Sequence, residues 1–272
     1  MNDLTYEFLI ALLPIIIING LTILSWIVFA FIYRKRGATS KVLDRMHPSF
    51  LGLFIREWVY WILNPLLVLF RILRLTPNML TGVSLVIGVI AGWFFFTGSF
   101  AAAGWTMLAS GALDILDGTL ARLTGLASKE GAFFDSCVDR YTESFVLIGI
   151  ALYFVSKPDL AIFGDNSLLW IIALIMLAMM GSLIVSYAKA RGESVGFTTN
   201  AGIMQRAERV VVLAIASCFY PFFKILLLRG GMDEHWPIII ALIILAVFTN
   251  YTAAARTIII FRDIRRSHGG NE

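Results

Sequence analysis

Residues 114–139 read DILDGTLARLTGLASKEGAFFDSCVD, and four acids stand in them: Asp114, Asp117, Asp135 and Asp139. The chain on either side is apolar. An Asp at the centre of a membrane helix is unfavourable by about 2.5–3.5 kcal/mol, so four unpaired ones would cost on the order of 10 kcal/mol. Something must compensate. Asp114 and Asp117 are spaced i,i+3, and Asp135 and Asp139 i,i+4, which sets each pair on one helical face. The two helices follow each other across a short loop, and such a hairpin predicts that the pairs meet near one of its ends. Carboxylates converging among few cations repel one another. Hard divalent cations such as Mg²⁺ or Mn²⁺ relieve that repulsion, because they prefer oxygen ligands. Two glycines fit the same picture, Gly118 directly after Asp117 and Gly131 ahead of Asp135. Glycine inside a helix is unfavourable by about 0.5–1 kcal/mol unless close approach requires it. Acids within a membrane also build ion pathways, so an ion-coupled transporter stays open as the alternative from these residues alone.

Outward from the hairpin the apolar character continues. Of 272 residues, 59% are apolar and 15% charged, against about 45–50% and 25% in a soluble domain. This excludes an ordinary cytosolic protein, a disordered chain and a basic nucleic-acid-binding domain. The lipid bilayer is the expected surrounding and nucleic acid is not a partner. Runs long enough to cross a membrane, about 20 residues, fall near 8–33, 79–97, 100–122, 132–155, 167–188, 208–228 and 236–260. They are apolar on all faces rather than alternating, which excludes a β-barrel. The expected fold is an all-α integral membrane protein. Its first run reads as an anchor (residues 1–40) and not a signal peptide, because Arg34-Lys35-Arg36 follows it instead of preceding it. Residues 41–75 mix Phe50, Phe54, Trp58, Tyr60 and Trp61 with Arg56, Arg71 and Arg74, the pattern of an amphipathic helix lying in the headgroup plane. Cys137 and Cys218 sit in apolar runs and behave as small hydrophobes. Lys and Arg collect in alternate connections, while the other connections hold only Lys157 and Arg229. The positive-inside rule then predicts an outside N-terminus, with the acid hairpin's loop and the tail at 263–272 in the cytoplasm.

The spacing Asp114-x2-Asp117-Gly118-x2-Ala121-Arg122-x8-Gly131-x3-Asp135-x3-Asp139 resembles the signature of the CDP-alcohol phosphotransferase family, with its eight residues all present. The wider resemblance covers residues 76–262, a six-span catalytic bundle to which the anchor and the interfacial segment are additions. It implies a membrane enzyme of phospholipid synthesis, in the inner or plasma membrane of a prokaryote. Such an enzyme moves a phosphatidyl group from a CDP-linked lipid such as CDP-diacylglycerol to a polar alcohol and releases CMP. It implies two divalent ions, Mg²⁺ or Mn²⁺, on Asp114, Asp117, Asp135 and Asp139, with Asp139 as general base. Gly118, Ala121 and Gly131 would leave room for the cytidine beside Asp114, and Arg122 would contact the donor phosphates. The family's Pro-Asn turn has its counterpart in Thr76-Pro77-Asn78, which places Asn78 and Thr81 near the nucleotide; a plain helix start with a capping Asn explains the same residues. Homodimers are common in the family.

The acceptor is read from two basic segments, Lys189-Ala-Arg191 and Arg206-Ala-Glu-Arg209. Arg forks and Lys point charges suit a phosphate, so Lys189, Arg191, Arg206 and Arg209 are candidate acceptor ligands. Ordinary positive-inside charge is the competing reading. The segments resemble those of the phosphatidylinositol-phosphate synthase-like subgroup, which implies inositol 1-phosphate as acceptor, with glycerol 3-phosphate as the alternative.

Overall fold

A computed structural model describes residues 17, 20–21, 23–34, 53–157, 162–199 and 201–269. The first half of the expected anchor, the start of the interfacial segment, and Lys35, Arg36, Lys41, Arg45, Phe50 and Asp159 lie outside the described residues. The regular structure among them is helical, apart from one isolated bridge between Ile162 and Gly164. The helices are α1 (Ile23–Arg34), α2 (Leu53–Ile72), α3 (Pro77–Phe96), α4 (Phe100–Thr124), α5 (Lys129–Val155), α6 (Ser167–Ser194), α7 (Arg206–Cys218), α8 (Tyr220–Arg229) and α9 (Trp236–Gly269).

Three of these, α3, α6 and α9, are long and apolar enough to cross a membrane, and α7 with α8 counts as a fourth, bent by 54°. The run 208–228 predicts one straight span. Pro221 explains the break, since it offers no N–H to the turn before it. Helices α4 and α5 are longer than α3, at 25 and 27 residues, or about 38–40 Å at 1.5 Å per residue. They fall short in apolarity because they carry the acids that mark the site.

The contacts divide the chain into two compact units, Met1–Gly82 with Ala112–Asp135, and Val83–Gly111 with Ser136–Glu272. In the first, Leu63 and Leu67 of α2, Leu80 of α3, and Leu116 and Leu120 of α4 form a buried cluster. Helix α1 docks on α2 through aromatic side chains. The Trp58 indole N–H donates to Ser25 Oγ at 3.0 Å, and Trp26 meets Trp58 edge-on with centroids 5.6 Å apart. Indole has a polar handle as well as a large apolar area, and this joint uses both.

The second unit is built around Phe95, Phe100, Ile150, Phe154, Ile171 and Leu242, all buried. Here α3 and α5 cross with almost no side chain between them. A Cβ on Gly92 would stand 2.6 Å from Phe145 O, and one on Gly149 would overlap Gly92 O. Small residues at such crossings let backbones pack directly. At the C-terminal end of α5 a polar chain is buried among aromatic rings. The Tyr153 hydroxyl lies 2.7 Å from His235 Nε2, and Asp233 Oδ1 accepts from both His235 N–H and Nδ1 at 2.8 and 2.7 Å. Asp233 thereby fixes the ring's tautomer, and Tyr153 donates to the nitrogen left unprotonated.

Candidate active site

The expected donor residues lie in the first unit, on α3, α4 and the start of α5. Thr81 and Asp117 are both 3% exposed, and a buried carboxylate needs hydrogen-bond partners. Thr81 supplies one, its hydroxyl donating to Asp117 Oδ2 at 2.6 Å. The expected place of Thr81 beside the nucleotide thus becomes a hold on one of the four acids. A carboxylate keeps further lone pairs after one such bond. Arg122 donates to Thr119 Oγ1 at 3.1 Å and lies over Gly118, where a Cβ would be 3.4 Å from its Nη1. Ala121 is half-buried on the same helix.

Helix α5 starts on Ser128, whose Oγ accepts from Gly131 N–H at 3.0 Å. Ahead of the apolar run, hydrogen bonds from its own backbone N–H and from Ser128 hold the Glu130 carboxyl below the usual carboxylate range. A Cβ on Gly131 would be 3.2 Å from Asn78 Oδ1, so glycine there lets the Asn78 amide close against α5.

Asp114 and Asp135 present carboxylate oxygens within 4.8 Å of each other. Oxygens sharing an octahedral Mg²⁺ lie up to about 4.2 Å apart, twice the 2.0–2.1 Å bond. The oxygen-only donor set therefore fits a hard divalent ion with small side-chain adjustment.

In the second unit Asp139 faces α7. Arg206 Nη2 lies 2.8 Å from Asp139 Oδ1. One turn further along both helices, Arg209 pairs with Glu143 through Nε–Oε1 at 2.6 Å and Nη2–Oε2 at 2.9 Å. Arg209 is 4% exposed, and its bidentate fork is spent on Glu143. Beside these pairs lies a cavity of about 280 Å³ lined by Asp139, Arg140, Glu143, Lys189, Arg206, Arg209 and Arg256, among others. Of the four expected acceptor residues the structure brings Lys189, Arg206 and Arg209 together there. Arg191 is elsewhere, exposed and donating to Ser194 Oγ at 3.3 Å.

Arg256, like Arg140 and Glu143, is a cavity residue that sequence reading does not single out. It is 4% exposed, and it donates to Ala201 O at 2.8 Å and Val185 O at 3.1 Å. It thus ties the last helix to α6 and to the segment before α7. Its signal is present in the sequence, a lone Arg inside the apolar run 236–260.

The CDP-alcohol phosphatidyltransferase family model matches residues 74–247. Among curated relatives, the phosphatidylinositol phosphate synthase of Mycobacteroides abscessus is 30% identical over 206 residues, covering 75% of this chain and 86% of the relative. The archaetidylinositol phosphate synthase of Pyrococcus horikoshii is 37% identical over 148 residues, covering 54% and 71%. The fold is similar to that of Mycobacterium tuberculosis phosphatidylinositol phosphate synthase with CDP-DAG bound, with TM-score 0.60, 21% identity, and 72% and 92% of the two chains covered. The same enzyme in complex with manganese and citrate gives TM-score 0.61, at 21% identity, with 72% and 88% covered. The acid spacing, the apolar spans and the family match agree: this chain is an integral membrane transferase and belongs to the CDP-alcohol phosphatidyltransferase family.

Proposed function

We propose that the chain transfers the phosphatidyl group of a CDP-linked lipid, CDP-diacylglycerol or a close analogue, to inositol 1-phosphate. The supporting observation is the cavity beside Asp139, which gathers Lys189, Arg206 and Arg256 around a space of about 280 Å³. Ligand pockets begin at about 300 Å³, so this one suits a small polar molecule, and three cations suit its phosphate. Glu143 and Glu193 line the same space and can accept from the hydroxyls of a polyol. Relatives named for inositol-phosphate products support the same acceptor.

In the reaction, an acceptor hydroxyl oxygen bonds to the phosphorus that carries the diacylglycerol. The phosphorus–oxygen bond to CMP breaks, and CMP leaves with that electron pair. Asp139 takes the hydroxyl proton and later gives it to water. Arg206, already on Asp139, positions the acceptor phosphate so that the hydroxyl faces the base. Asp114, Asp117, Asp135 and Asp139 would hold two divalent ions, Mg²⁺ or Mn²⁺, which when bound neutralise the charge of the diphosphate. Asn78, Gly118, Ala121, Arg122 and Gly131 frame the donor side. Residues 76–262 form the catalytic domain, preceded by an anchor and an interfacial segment. The one-sided distribution of Lys and Arg supports a cytoplasmic site with the N-terminus outside.

The test is an acceptor panel. Purified protein with CDP-diacylglycerol and Mg²⁺ or Mn²⁺ is expected to release CMP with inositol 1-phosphate and to give a product of matching mass. Release with glycerol 3-phosphate alone would replace the acceptor and keep the reaction. Arg206→Gln is expected to raise the acceptor KM at least tenfold, the worth of a charge-assisted hydrogen bond, and to leave the donor KM within about twofold. Equal effects on both would remove Arg206 from the acceptor side.

A further inference from the structure

Five helices end in the same way. The closing pattern joins a backbone N–H to the carbonyl five residues before it, with the preceding residue in the left-handed region. After α3 it is Ser99 N–H to Phe94 O, after α4 Leu126 to Ala121, after α6 Phe197 to Gly192 and after α8 Met232 to Leu227. The left-handed residue in those four is Gly98, Gly125, Gly196 and Gly231. After α2 the same bond runs from Leu75 N–H to Phe70 O, with Arg74 N–H on Arg71 O at 3.1 Å. The left-handed residue there is Arg74, at φ 53°, which no other described non-glycine residue shares. A side chain in that region is strained, and such strain persists where the surroundings or a function require the residue.

The described fold makes no use of the guanidinium. Arg74 is exposed, and among the described residues neither Arg74 nor Arg71 forms a side-chain hydrogen bond or ion pair. The backbone closure needs only a left-handed residue, which glycine supplies without strain. What remains is position. Arg74 stands two residues before Thr76-Pro77-Asn78, the turn that opens α3 and sets Asn78 against Gly131 and Thr81 against Asp117. All of these lie in one compact unit. These two exposed guanidinium groups, three positions apart where α2 ends, have no partner among the described residues and are free to meet an anion.

We propose that Arg74, assisted by Arg71, is a binding residue for a lipid-borne phosphate. That phosphate is either the donor's diphosphate or the headgroup of a neighbouring anionic phospholipid. Arginine's planar fork recognises phosphate bidentately, which glycine cannot do. The inference rests on the CDP-linked lipid donor shown by the family, and it is independent of the acceptor's identity.

The experiment compares the full-length protein with Arg74→Gly and Arg74→Lys in neutral detergent, with and without added phosphatidylglycerol. It reads the melting temperature without ligand, the thermal shift on CDP-diacylglycerol binding, and the donor KM. Arg74→Gly is expected to raise the ligand-free melting temperature by about 2–4 °C, the effect of relieving one strained residue in a chain of this size. It is also expected to weaken donor binding about tenfold in neutral detergent, which assigns the phosphate to the donor. If donor binding is unchanged but stimulation by phosphatidylglycerol is lost, the phosphate is that of the surrounding lipid. Arg74→Lys keeps the charge and the strain, and should fall between wild type and Arg74→Gly in whichever readout moves. If Arg74→Gly leaves both donor binding and the phosphatidylglycerol response unchanged, the proposal is overturned. The thermal-shift readout needs no turnover, so a wild type that binds donor but uses no inositol 1-phosphate would refute the acceptor reading and leave this one standing.

Discussion

Asp139 sits where two roles meet. It is the last of the four hairpin acids, and Arg206 reaches it from α7 at 2.8 Å. That contact holds the Asp139 carboxylate in place, and a general base must be positioned before it takes a proton. Asp139→Asn keeps the shape and removes the base. It is expected to lower the rate of CMP release by at least about a hundredfold, while the donor-induced thermal shift persists; near-normal turnover would exclude Asp139 as the base. The four acids are legible in the sequence because a charge in an apolar helix is expensive wherever it is read. Arg256 carries the same signal, yet its partners are the carbonyls of Val185 and Ala201. Every residue has a carbonyl, so no spacing rule points to these two. Arg191 shows the converse error. It stands two residues from Lys189, and at that helical spacing it turns away from the cavity that Lys189 lines.

At the scale of elements, the positions of the helices were legible and their bends and contacts less so. The run 208–228 is uniformly apolar, so hydropathy hides the 54° break between α7 and α8. Pro221 is the only local trace of it, and proline at the start of a helix is equally common in straight entries. The crossing of α3 and α5 is also unmarked, because Gly92 and Gly149 are two among 22 glycines. Its physical demand is strict. Gly149→Ala places a methyl group on Gly92 O, and overpacking of this kind costs about 1–3 kcal/mol. A lower melting temperature in detergent is the expected result. An unchanged one would mean that the two helices part without penalty.

Across the whole molecule, chemistry and anchoring are separated along one helix. Asp139 and Tyr153 are 14 positions apart on α5, or about 21 Å at 1.5 Å per residue. The Asp233–His235–Tyr153 chain stabilises the far end. His235→Ala leaves buried polar groups without partners, at about 1–3 kcal/mol. It should lower the melting temperature while both substrate KM values stay within about twofold. A selective change in acceptor KM would show that the far end reaches the site.

The tie made by Arg256 also bears on biosynthesis. The cavity beside Asp139 takes residues from Ser136 to Arg256. The wall that Arg256 supplies is therefore translated after every other residue of the cavity. A nascent chain with every acid already in the bilayer still lacks the group that joins α6 to the segment before α7. Truncation ahead of Arg256 should therefore yield a protein that enters the membrane without consuming lipid.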